Sequence, residues 1–283
     1  MSIPTKPELV DSWAAFVQLA AAPFDGKWLF RGVLDDWDLK PSLQRACEDW
    51  NVPMSERLVV EKRLLRDFKR AYPPRAETPA PSYKEDLSWL ALMQHHGAPT
   101  RLLDWTFSPF VAAFFALDQL LNSKASMAAV WALSGGPISN ATVEAFLPDE
   151  LKVPFHNYSR TRSGRAFRDL FLEAKAPFAF VTPVNPYALN ERLIVQQGTF
   201  LCPGDVSRTF EENLLVMPGV SNPNKLRKIL LPRSVLRDAF VGLYKMNITH
   251  ATLFPGLDGY ARSLRHRIGF LQDASQFFDA TRY

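Results

Sequence analysis

Cysteine is nearly absent from this chain. Cys47 and Cys202 are the only two in 283 residues. Two thiols cannot frame a small disulfide-stapled fold, and neither sits in a metal-binding spacing. A reducing, cytoplasmic setting is the expectation. The five histidines, His95, His96, His156, His250 and His266, form no zinc pattern, since the one adjacent pair is not spaced i, i+4. No metal is expected. Long apolar runs are also missing: residues 110–117 and 128–133 fall far short of the ~20 residues a membrane helix needs. The N-terminus is interrupted by Lys6, Glu8 and Asp11 and does not read as a signal peptide. There is no Walker loop and no dinucleotide-fold glycine motif. Ser134-Gly135-Gly136 lacks the G-x-S-x-G context of a serine hydrolase. No internal repeat or low-complexity tract occurs.

What is present is enough for a large core: 47% hydrophobic residues, 21 of them Phe, with a net charge of only +4. The densest chemistry lies at 94–117, QHHGAPTRLLDWTFSPFVAAFFAL. Gly97 and Pro99 break periodicity there, and Thr106 and Ser108 are natural caps for the apolar helix that follows. A polar loop feeding a buried helix is a place to expect a binding site. The alternative is that Arg101 and Asp104 pair with each other, or with backbone, and pin the loop.

Periodicity predicts helices over 8–22, 55–72, 83–94, 109–121, 234–245 and 257–267. Strands are expected over 27–33, 128–133, 178–184, 213–217 and 226–231, and from 193 to 200 with a bend at Gly198. Arg31 falls inside the first strand, where a charge must be paired or face a cleft; a surface arginine on an edge strand is the other possibility. The basic face of 55–72 reads as solvated, with local ion pairs. Arg160, Arg162, Arg165 and Arg168 fall in a stretch without an acid, which suits either a phosphate-bearing ligand or an exposed loop. The class that follows is α+β, one domain with an N-terminal helical part.

Three stretches together resemble one family. They are Phe30-Arg31-Gly32, the block 94–105 with the helix after it, and Arg192 with 197–200; the later Leu253-Phe254-Pro255-Gly256 fits as well. The chain resembles the FRG domain, found in bacterial and phage proteins near toxin or defence functions. The resemblance implies a single FRG-like domain over 1–283, with 1–26 as an N-terminal helical segment. It also implies a split-sheet core like that of the ADP-ribosyltransferases, with several flanking helices, and NAD as substrate.

Carried over by position, Arg31 would hold the ribose and phosphate, and Thr106 and Ser108 would support the nicotinamide pocket. The glutamate expected ahead of the Gly198-Thr199 bend is replaced by Arg192, with Glu191 beside it and Gln197 after it. Arg31, Glu191, Gln197, His96 and Asp104 are therefore the candidate catalytic residues. Phe30, Arg31, Gly32, Arg101, Trp105, Thr106, Ser108 and Phe200 are the candidate NAD-binding residues. The partners implied are NAD, an acceptor macromolecule and a regulatory or antitoxin protein. The alternative is a non-catalytic module that binds a nucleotide, a nucleic acid or a phage protein. A nucleic-acid role ranks low because no reader motif is present.

Overall fold

The computed structural model describes residues 6–21, 28–35, 38–73, 75, 79–186 and 191–274, with side chains described up to residue 268. Lys27, most of the end of the expected N-terminal segment and residues 76–78 of the Pro-rich loop lie outside these. The strands are β1 (Glu8–Leu9), β2 (Trp28–Leu34), β3 (Leu103–Thr106), β4 (Met127–Ser134), β5 (Val181–Val184), β6 (Gly198–Pro203) and β7 (Leu226–Pro232). They form one seven-stranded sheet in the order β1-β7-β4-β2-β3-β6-β5. All neighbours run antiparallel except the β1–β7 pair.

The α+β expectation holds, and the sheet is split in a specific way. β2 pairs with β4 along its whole length, from Trp28 opposite Ser134 to Leu34 opposite Ala128. On its other side β2 meets β3 through one residue pair, Phe30 opposite Thr106. Beyond that rung the two strands part. One half-sheet is β1-β7-β4-β2 and the other is β3-β6-β5.

The helices are α1 (Trp13–Ala21), α2 (Ser42–Asp49), α3 (Arg57–Ala71), α4 (Asp86–His95), α5 (Pro109–Leu121), α6 (Asn140–Phe146), α7 (Asp149–Thr161), α8 (Gly164–Phe167), α9 (Glu191–Val195), α10 (Phe210–Leu215), α11 (Leu236–Lys245), α12 (His250–Leu253) and α13 (Leu257–Ala274). Alternation along the strands builds a core on each face of the sheet. Phe30, Leu34, Val130 and Ile229 pack on α5, α1 and α11. Leu29, Val33, Trp105 and Trp131 pack on α4, α7 and the segment after α8. The all-apolar run of α5 is buried, as its composition requires, with Ala112, Ala113, Phe114, Ala116 and Leu117 all fully buried.

Three expectations are corrected. Residues 191–195 form the short helix α9 rather than a strand; the chain turns at Gln197, whose φ is +47°, and β6 begins only at Gly198. The stretch 213–217 is not a strand, because Thr209 and Glu212 form a reciprocal capping box that starts α10. The basic stretch 159–168 is not a loop: α7 runs through Thr161, and Ser163 caps α8.

The C-terminal helices are clamped onto α5. Asp118 Oδ1 lies 3.0 Å from His266 Nε2 and 3.4 Å from His250 Nε2. His266 stacks on Phe240 with ring centroids 4.3 Å apart. Burial opposes ionisation of Asp118, but bonds to and charge on the two histidines outweigh it and hold its carboxyl far below the usual carboxylate range.

A candidate anion-binding cleft where the sheet splits

The Phe-Arg-Gly tripeptide divides its labour along β2. Phe30 is 3% exposed and belongs to the core beneath α5. Gly32 allows the helix to close on the strand: a Cβ there would sit 1.9 Å from the Ala112 carbonyl oxygen. Arg31, between them, reaches across the split. Its Nη1 donates to the Asp104 carbonyl at 2.6 Å, the position where a continuous sheet would have a backbone rung. Its Nε is buried with no hydrogen-bond partner. Burial lowers its pKa to about 10, with Asp104 opposing the shift and Arg45 adding to it. Arg31 is half-buried, and a buried, orphaned Nε is costly unless something else meets it.

The split opens into a cavity of about 190 Å³. Phe30, Arg31 and Gly32 of β2 line it together with Asp104, Trp105 and Thr106 of β3. Ala112, Phe115 and Gln119 enter from α5, and Arg192 and Gln196 from the α9 region. Thr106 Oγ1 donates to the Gln196 carbonyl at 2.7 Å, which ties the α9 turn to β3. Gln196 Nε2 donates to the Leu253 carbonyl at 2.9 Å. The Arg192 guanidinium stands over the Phe254 ring, 4.5 Å from its centre. Burial lowers the Arg192 pKa, and Asp104 opposes that shift. Two arginines therefore face one exposed carboxylate, Asp104, the only acid lining the cavity among the described residues. The balance is cationic and the space small. It is smaller than the ~300–1,000 Å³ that encloses a drug-sized ligand.

The remaining candidates lie elsewhere. Arg101 is 1% exposed and is held by Glu61, with Nε 2.9 Å from both carboxylate oxygens and a further bond from Nη2. It is a structural cation, buried outside the cleft with each of its nitrogens engaged, and it does not pair with Asp104. Phe200 is 3% exposed, deep in the core on the α4 side, and offers no stacking face. Trp105 touches the cavity, yet it is 2% exposed and serves the same core. Ser108 caps α5, accepting from Val111 N at 3.3 Å. Thr106 Oγ1 accepts from Ser108 N at 3.0 Å, so it supports the cap as well as the cleft.

His96 is exposed, beside Phe68 and His95, and is not among the cavity's lining residues. His95, its neighbour, has its pKa lowered by burial and by the nearby charges of His96 and Arg192. Glu191 is exposed at the start of α9, outside the cavity. Gln197 contributes its backbone carbonyl to Phe107 N, at 3.0 Å, and is exposed at the turn. Gln196, rather than Gln197, lines the cleft. Gln119 and Phe115 went unnoticed as lining residues. Their spacing with Ala112, i, i+3 and i+7, places all three on one side of α5, a signal available in the sequence.

Residues 26–125 match the family model of the FRG domain, and the chain carries an FRG domain over that stretch. The matched segment holds Arg31, Asp104 and all of α5, while Arg192 and Gln196 reach the cleft from outside it. No curated protein and no solved structure matches the chain. Among the described residues, no helix is long and apolar enough to cross a membrane, and no group of three or more His, Cys, Asp or Glu side chains is arranged to hold a metal ion.

Proposed function

We propose that the cleft binds NAD and that the chain is an ADP-ribosyltransferase-like enzyme transferring ADP-ribose to a macromolecular acceptor. The observation that carries this reading is Arg31, aimed across the split with its Nε unsatisfied. Arg31 and Arg192 suit a diphosphate, which arginine binds through paired N–H donors. Phe115 offers an apolar wall for the nicotinamide ring. Departure of nicotinamide takes the bonding electrons and leaves positive charge on the anomeric carbon of the ribose. Asp104 is the carboxylate placed to stabilise that charge. The acceptor nucleophile then bonds to this carbon and releases its proton, and the products are nicotinamide and the ADP-ribosylated acceptor. Unregulated, such an enzyme would harm the cell that makes it, in keeping with a toxin or defence role and a restraining partner.

The lack of a glutamate in the cleft favours a second reading, a module that binds the same anionic ligand without turning it over. Nicotinamide release from NAD, measured for wild type beside Arg31→Ala and Asp104→Asn, tests the first reading. Each substitution should lower the rate on the order of 10²–10³-fold, the usual cost of losing one key electrostatic group. Release that is indifferent to Arg31 would refute the site. A thermal shift with NAD but no release would support the binding module.

A further inference from the structure

On the other face of the sheet, past the Phe30–Thr106 rung, lies a larger cavity of about 710 Å³. Leu29, Phe107, Asn185 and Arg162 are among its lining residues. A neighbouring cavity of about 640 Å³, between α4 and the 79–82 segment, shares Arg162 with it. Arg162 stands at the wall common to both, and the backbone there is unusual. It caps α7 in the left-handed region, at φ 52° and ψ 20°. Glycine is the ordinary residue at such a cap, since a Cβ makes this conformation costly. Strain of this kind persists where the surroundings hold it, and it gathers at ligand clamps.

The Arg162 guanidinium is loosely held. It lies 5.2 Å over the Tyr158 ring and its Nη1 donates to the Pro183 carbonyl at 3.4 Å. Among the described residues it forms no ion pair. Two residues past Pro183, the lining residue Asn185 has its Oδ1 buried with no hydrogen-bond partner. Phe107, another lining residue, is 46% exposed although it follows directly on the buried end of β3. The cavity thus combines a guanidinium held by one aromatic ring and one long carbonyl bond, an accessible aromatic ring and, at Asn185, an unmet amide oxygen, in a volume typical of small-ligand sites.

We propose that this second cavity binds a nucleotide, with the base against Phe107 and the phosphate on Arg162. Arginine matches phosphate with two parallel donors, and a base stacks on an aromatic ring. This site is separate from the Arg31 cleft, which shares none of its lining residues. It goes beyond the NAD reading and does not depend on it.

Isothermal titration of 5′-AMP and 5′-GMP into the full chain tests the proposal. Wild type should bind at least one of them. Arg162→Gly removes the guanidinium while relieving the left-handed backbone, so it should weaken binding ten-fold or more without lowering Tm. Phe107→Ser should weaken it comparably, and in the Arg31→Ala variant, which disables the cleft, the Arg162-dependent binding should remain. Inorganic phosphate should bind more weakly than the mononucleotide. No binding by wild type, full binding by Arg162→Gly, or binding abolished by Arg31→Ala would each overturn the assignment. Phosphate binding as tightly as the mononucleotide would overturn the role given to the base.

Discussion

Arg31 and Arg101 are two arginines turned into the body of the same half of the chain, and their surroundings differ in one decisive respect. Every nitrogen of Arg101 has a partner: Glu61, itself fully buried, meets its Nε and Nη2, and the Pro203 carbonyl lies 3.4 Å from Nη1. Arg31 has one backbone carbonyl and an orphaned Nε. The first arrangement is complete without a ligand, and the second is not. Burial of a cation therefore does not by itself mark a site; an unmet donor that opens on a cavity is the further sign.

The contrast can be broken from either side. The largest effect on folding should come from Arg101→Ala, which strands the Glu61 carboxylate in the core and should cost about 3–5 kcal/mol by denaturant unfolding. Replacing both partners, Glu61→Leu with Arg101→Met, should recover most of that loss, because no charge is left unpaired. Arg31→Ala should do the reverse, with a small change in unfolding midpoint and a large loss of ligand-dependent stabilisation. Equal midpoint losses for Arg31→Ala and Arg101→Ala would erase the distinction drawn here.

A smaller loss is expected from Gly32→Ala. The added methyl meets the Ala112 backbone and must push α5 off β2, at a cost on the order of 1–3 kcal/mol together with a deformed cleft. A smaller effect again belongs to Asp118→Asn, about 0.5–1.5 kcal/mol from weakening the α5–α12–α13 clamp. Its pH dependence has a definite sign. The native carboxyl titrates below its unfolded value of about 3.9, so its contribution is present above that pH. The difference between wild type and Asp118→Asn, followed by thermal unfolding, should hold from neutral pH down to about pH 4 and shrink below it.

Much of this was legible in the sequence. The apolar run with Pro109 at its start and Ser108 before it marked α5 with its cap, and Phe30-Arg31-Gly32 marked the strand beneath it. The site was legible where it is local, in Arg31, Asp104 and Thr106. It was not legible where partners arrive from afar. Nothing near Arg101 announces Glu61, forty residues earlier, so a structural cation was read as a ligand-binding one. Phe200 failed for a related reason: aromatic residues after a glycine bend suit a stacking platform and a core strand equally well, and burial decides between them. The misread stretch 213–217 had a local signal in Thr209 and Glu212, which outweighed its apolar composition.

The single rung between Phe30 and Thr106 has a mechanical consequence. Two half-sheets paired through one rung form a jaw held by the core they share, by α5 and by the Arg31 bridge across the gap. Opening the jaw disrupts few hydrogen bonds, far fewer than unfolding either half. The backbone amides flanking the rung should therefore exchange with solvent through local opening while the β2–β4 ladder stays protected. On the proposed reading, the free energy of that opening would set how large a molecule the cleft admits, and a ligand bridging Arg31 and Arg192 would act as the clasp that shuts it.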